Sequence, residues 1–150
     1  MPQSLAKIIT HIIFSTKNRQ PIILPDVRDE LTRYLAGGLK ELKCPAIEIN
    51  CVSDHVHVLC CLSKTMSMAD LVEEIKKSSS RWIKGKSPFL ADFYWQNGYG
   101  AFSVSQSNVP DVRAYIAAQE KHHQKVSFQD EFRAFLKKHG MEFNERHLWD

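Results

Sequence analysis

The sequence has four cysteines but no C-x-x-C pair, no apolar run approaching the roughly 18 residues of a spanning helix, no glycine-rich phosphate loop and no internal repeat. Each absence excludes something. Cys44, Cys51, Cys60 and Cys61 do not read as a zinc ribbon, and adjacent Cys60 and Cys61 would face opposite sides of a strand. Buried thiols in a reducing compartment are expected instead. Met1-Pro2-Gln3-Ser4 lacks the basic-then-apolar order of a signal peptide. With no spanning segment either, the expectation is a cytoplasmic protein with no membrane partner. The missing phosphate loop argues against a nucleotide cofactor. Charge is also sparse: 20 basic against 17 acidic residues leave a net +3, which permits nucleic-acid binding without demanding it.

What is present fits one globular domain over residues 1–150, since 43% apolar content in a chain of this length supports a substantial core. Leu5 to Thr16 is rich in Ile and Thr and apolar on both faces, as a central strand would be. Pro25-Asp26 opens a helix to about Lys43, with Asp26 as N-cap. Leu31, Leu35, Leu39 and Leu42 keep its spacing, while Gly37-Gly38 weakens its middle by about 1 kcal/mol per glycine. Ala46 to Val52 and His55 to Leu62 read as a hairpin turned at Ser53-Asp54. Ser67 caps the next helix, with Met68, Leu71, Ile75 and Trp82 inward. Phe93 to Ser105 reads as strand, turn, strand. Asn108 caps a helix carrying Tyr115 and Gln119, and Ser127 caps a last one with Phe128, Phe132, Phe135 and Leu136 inward, stopped at Gly140.

The order β-α-β-β-α-β predicts an α+β fold, a ferredoxin-like (RRM-like) split βαβ sandwich. Its mainly antiparallel sheet has helices on one face, plus C-terminal helices that carry the tyrosine. The other face is left free, a platform for single-stranded nucleic acid.

The chemistry centres on Asp54-His55-Val56-His57-Val58-Leu59. Alternate strand residues share a face, so His55 and His57 point the same way about 6.5 Å apart, able to share a metal. A lone strand histidine such as His11 is ordinarily a hydrogen-bonded structural residue. A same-face pair on an apolar strand is different, because two buried rings without partners cost free energy unless something binds them. Tyr115 and Gln119, one helical turn apart, can bring a phenol and an amide oxygen to one point. Taken singly, the first reads as an amphipathic core residue and the second as a surface helix former.

Four segments together resemble the single-tyrosine HUH transposases of the IS200/IS605 type. They are His11-Ile12-Ile13-Phe14-Ser15-Thr16-Lys17-Asn18-Arg19, the Asp54 to Leu59 run, Trp95-Gln96-Asn97-Gly98-Tyr99-Gly100-Ala101-Phe102-Ser103-Val104-Ser105, and Tyr115-Ile116-Ala117-Ala118-Gln119. The resemblance implies that His55 and His57 are the HUH histidines, Tyr115 the nucleophile and Gln119 the third metal ligand. It implies a homodimeric enzyme that nicks and rejoins single-stranded DNA at hairpin-bearing insertion-sequence ends through a 5′-phosphotyrosine, with the tyrosine helix able to dock on the partner subunit. An amide and a phosphate oxygen favour Mg²⁺ or Mn²⁺, whereas two imidazoles also suit Zn²⁺ or Ni²⁺; Mg²⁺ or Mn²⁺ is the expectation. His122, His123 and Glu120 rank below Gln119 as ligands or proton carriers, because only Gln119 matches the family motif. Lys17, Arg19, Lys77, Arg81 and Lys84 are the candidate phosphate contacts, the last three forming one helical face. The alternatives are a catalytically silent, domesticated hairpin-DNA-binding protein and a phosphoesterase that uses water.

Overall fold

The computed structural model describes residues 2–150. Four antiparallel strands form one sheet: β1 (Ile8–Ser15), β2 (Ala46–Cys51), β3 (His55–Leu62) and β4 (Gly100–Val104), in the order β2-β3-β1-β4. The helices are α1 (Pro25–Glu41), α2 (Met68–Lys84), α3 (Val109–Ala117), α4 (Gln119–His122), α5 (Phe128–Lys138) and α6 (Glu145–Leu148). Among the described residues no helix is long and apolar enough to cross a membrane.

The two central strands are buried on both sides, which is why they read as continuous apolar runs. Ile12, Phe14, Val56, Val58 and Cys60 face α1 and α2. Leu31, Leu35 and Leu39 of α1 and Leu71 and Ile75 of α2 close this layer, each fully buried and each stabilising by about 1.5–3 kcal/mol. Ser67 Oγ accepts the Asp70 N–H at 3.1 Å and caps α2 as expected. At α1 the expectation is corrected: the helix starts at Pro25 and Asp26 lies in its first turn, so Leu24 is the N-cap and has no side-chain cap bond. Proline tolerates this first position because its missing N–H has no intrahelical partner there anyway.

The other sheet face is not free. Ile9, Ile13, Leu59 and Phe102 point into it, and four apolar side chains would be costly to leave in water. Val109 and Ile116 of α3 cover Ile9 and Leu59. Phe128, Phe132 and Leu136 of α5 cover Ile13 and Phe102. Ser127 Oγ caps α5 on the Asp130 N–H at 3.2 Å, and Gly140, at φ 65°, lies just past its end.

Two further readings change. Of Phe93 to Ser105, only Gly100–Val104 is a strand; Trp95 makes a single bridge to Thr16. The Trp95 indole is drawn into the α2 layer instead, donating to Ser79 Oγ at 2.9 Å and packing edge-on against Phe14 and Phe93. Asn108 makes no side-chain cap, because its own backbone is helical and ends a 3-10 turn at Gln106–Asn108.

Candidate active site

His55 opens β3 directly after the Ser53-Asp54 turn, and antiparallel register sets His55 opposite Ser15 and His57 opposite Ile13 of β1. Both imidazoles therefore enter the face covered by α3, α4 and α5, and both are fully buried. Buried imidazoles need partners at both nitrogens. For His55, Asp54 Oδ1 takes Nδ1 at 2.7 Å. For His57, Nδ1 meets His11 Nε2 at 2.8 Å. A third ring, His123, donates Nδ1–H to the Val126 carbonyl at 2.6 Å. The Nε2 atoms of all three then face one carboxylate oxygen, Glu131 Oε1, at 3.4, 2.9 and 3.2 Å.

His55, His57, His123 and Glu131 offer ligand atoms that all lie within 4.8 Å of one another, close enough to share a cation. The donor chemistry fits as well. His55 Nε2, His123 Nε2 and Gln119 Oε1 are buried yet have no aligned hydrogen-bond partner among the described residues, a rare condition that a bound cation would relieve.

The other oxygen of the same carboxylate, Glu131 Oε2, accepts the Tyr115 hydroxyl. His122 Nε2 is 3.4 Å from that hydroxyl, and the Tyr115 ring lies edge-on to His57 with centroids 5.9 Å apart. Outside Tyr115 is a cavity of about 610 Å³ bordered by His11, Val112, Tyr115, His122, Glu131 and Phe135. Gln119 is fully buried, but the chain breaks from helical geometry at Ala118, so Gln119 begins α4 instead of continuing α3. Its amide Nε2 donates to the Tyr115 carbonyl at 3.2 Å.

Burial and mutual contact shift these groups strongly. Burial holds His57 down to about 4 and, with the neighbouring His57 ring adding to it, His11 down to about 3. For His55 burial works the same way, but the Asp54 and Glu131 carboxylates outweigh it and raise the ring above its ordinary value. Burial alone would raise Glu131; the imidazoles of His123, His55 and His57 gathered around it overcome this and keep it ionised far below the carboxylate range. Tyr115 is pushed above the usual phenol range, by burial first and by the Glu131 carboxylate second. The phenol thus begins protonated.

A scan against protein families matches the IS200-like transposase model over residues 4–119, most of the chain. The chain belongs to the IS200-like transposases. Among solved structures it is similar to a putative transposase from Deinococcus radiodurans R1, at 23% identity and a TM-score of 0.62, covering 79% of this chain and 98% of that one. A second similar structure is a REP-associated tyrosine transposase bound to a REP hairpin, at 15% identity and a TM-score of 0.61, covering 84% of this chain and 74% of that one. At these identities the likeness concerns the fold. None of the curated proteins gave a significant match.

In this transposase fold His55, His57, Tyr115 and Gln119 come together within a single chain. The candidate DNA contacts fall elsewhere. Lys77 and Arg81 are exposed on α2, on the opposite side of the sheet from the histidines. Lys84 Nζ lies 4.0 Å and Lys17 Nζ 6.0 Å from the centroid of the exposed Tyr94 ring. Arg19 is half-buried with its guanidinium over Trp149 at 5.4 Å. Glu120 is exposed and outside the histidine cluster, whereas His122 and His123 both reach Glu131.

Glu131 is the residue that the sequence reading missed, and it lies beyond the family-matched segment. Its signal is nonetheless visible. Phe128, Phe132, Phe135 and Leu136 define the inward stripe of α5, and position 131 falls on that stripe, three residues from Phe128 and four from Phe135. A carboxylate placed there must find cationic or hydrogen-bonding partners inside.

Proposed function

We propose that this chain cleaves and rejoins single-stranded DNA at hairpin-bearing insertion-sequence ends, with Tyr115 as the nucleophile. The observation that carries the reading is the meeting of Tyr115 with His55 and His57 inside one chain of transposase fold, bridged by the two oxygens of Glu131. A phenol at the edge of a cavity, with a carboxylate and imidazoles beside it, supports attack by a protein hydroxyl on a phosphodiester.

The exchange proceeds in balanced steps. Tyr115 oxygen bonds to the scissile phosphorus as the bond to the 3′ oxygen breaks. The products are a 5′-phosphotyrosine and a free 3′-hydroxyl, and attack by the 3′-hydroxyl of another strand reverses the step. Because the phenol starts protonated, its proton must leave during attack, and two acceptors are in reach: Glu131 Oε2 and His122 Nε2. Glu131 also fixes the direction of the hydroxyl, and Gln119 tethers the backbone of Tyr115. A divalent cation, Mg²⁺ or Mn²⁺ in the simplest case, held by His55, His57 and the amide oxygen of Gln119 would neutralise charge developing on the phosphate.

The partner is DNA. The fold is shared with a transposase bound to a hairpin, and the Lys17–Tyr94–Lys84 group combines cations with an exposed ring, the pairing that holds a single strand by charge and base stacking. Lys77 and Arg81 extend the positive surface along α2. A homodimer is compatible with this reading, but the tyrosine acts on its own chain's histidines.

The test is incubation of the protein with end-labelled hairpin DNA, with and without divalent cation, followed by denaturing electrophoresis. A cation-dependent covalent adduct absent from Tyr115→Phe is expected. Cleavage without an adduct would point to a phosphoesterase, and tight binding with neither would indicate a silent hairpin-binding protein.

A further inference from the structure

We propose that the C-terminal helices complete a four-donor transition-metal site, in which His123 Nε2 and Glu131 Oε1 join His55 Nε2 and His57 Nε2. This rests on the cation-assisted reading above and revises its cation: two ligands beyond the family-matched residues 4–119 take the place given there to Gln119, and they select a different class of metal from Mg²⁺ or Mn²⁺.

Three independent observations converge. The first is separation. In a tetrahedral site with bonds of about 2.0–2.1 Å, neighbouring ligand atoms stand about 3.3–3.4 Å apart. Glu131 Oε1 stands 3.4, 2.9 and 3.2 Å from the three imidazole nitrogens, so three of the six edges are already near that length. The second is the state of the Nε2 atoms. Those of His55 and His123 are buried and lie near the carboxylate, yet neither is aligned to hydrogen-bond with it. Lone pairs aimed at a common centre explain closeness without alignment. The third is the outer set of contacts. A metal-bound imidazole usually passes its other N–H to a carboxylate, a carbonyl or a polar neighbour, which fixes the tautomer. Here Nδ1 of His55 has Asp54 Oδ1, Nδ1 of His123 has the Val126 carbonyl, and Nδ1 of His57 has His11.

The donor set decides the metal. Mg²⁺ keeps oxygen ligands and octahedral geometry, and three imidazoles with one carboxylate suit it poorly. The same set suits Zn²⁺ and its probe Co²⁺. Meanwhile Oε2 of Glu131 stays on the Tyr115 hydroxyl, so one carboxylate would couple the metal to the nucleophile.

The experiment uses the full chain stripped with a chelator and titrated with Co²⁺, Zn²⁺ or Mg²⁺ alone. Binding is read from the visible Co²⁺ absorption, which is intense for four-coordinate and weak for six-coordinate ions, and from competition with a chromophoric chelator. One Co²⁺ or Zn²⁺ per chain, a four-coordinate spectrum, no displacement by excess Mg²⁺, and an affinity loss of about 100-fold or more in both Glu131→Gln and His123→Asn are expected, since even supporting contacts are worth 10–100-fold. Metal-free thermal melts check that each variant folds; should Glu131→Gln fail, Glu131→Asp retains the charge, and its altered Co²⁺ spectrum reports the same ligand. Wild-type affinity in both variants, a six-coordinate spectrum or equal competition by Mg²⁺ would overturn the proposal. Metal binding as described, with no Tyr115 adduct on hairpin DNA, would leave the site standing and remove the transposition reading.

Discussion

Acid should destabilise this chain through two imidazoles that the fold keeps neutral. His11 and His57 are 2% and 0% exposed and hydrogen-bonded to each other, and burial holds their pKa values at about 3 and about 4. In the unfolded chain both would titrate near the ordinary 6.5. Between pH 6.5 and 4 the unfolded state therefore binds more protons, and stability falls as pH falls. Each ring is worth about 1.4 kcal/mol per pH unit across that window, so going from pH 6.5 to 5.0 costs about 1.5 kcal/mol per ring and about 3 together. His55 works in the other direction, but its raised value makes its contribution nearly complete once the pH is below 6.5. Glu131, held low, contributes a loss that begins only as the unfolded carboxyl protonates near 4.5. Urea melts of the metal-free chain at the two pH values measure the difference, provided the denaturant slope is unchanged. In His11→Gln a non-titrating amide can still pair with His57 Nδ1, and the acid loss should fall to about half. Equal stability at both pH values, or an undiminished loss in His11→Gln, would refute the argument.

Gly38→Ala should stabilise the protein by up to about 1 kcal/mol in urea melts, since a Cβ there meets nothing within 4 Å and the residue is helical, in the last turn of α1. Gly100→Ala should do the opposite: its Cβ would fall 2.4 Å from the Phe132 ring, and overpacking of that kind costs about 1–3 kcal/mol in the same assay. Mixing Tyr115→Phe with a His55→Ala, His57→Ala double variant should yield no DNA adduct, because Tyr115 lies on its own chain's histidines. Recovered adduct in the mixture would show that the tyrosine acts across a dimer.

Much of this molecule is written in local pattern. The two-residue period of His55 and His57, the leucine spacing of α1 and the serine caps of α2 and α5 are all short-range signals, and the elements they predict are present. What escapes is whatever depends on packing between distant segments. The covering of the second sheet face depends on α3 and α5 finding Ile9, Ile13, Leu59 and Phe102, and no window of sequence contains both partners. His11 illustrates the limit well. It reads as an ordinary hydrogen-bonded strand histidine, and it is one, but the partner is His57, 46 residues away. The break at Ala118 likewise separates Tyr115 from Gln119 where an uninterrupted helical pattern was expected.

The Phe132 ring lies so close to Gly100 that β4 has room for it only where a side chain is missing. That bare backbone works as an index mark for α5. Phe132 seats where a Cβ would fall 2.4 Å from its ring, and the residue before it on the helix is Glu131. A helix turns by about 100° per residue, so a slip of one position would swing the carboxylate away from His57. The alignment of an acid with two histidines is thus calibrated from the next strand but one, by an atom that glycine lacks.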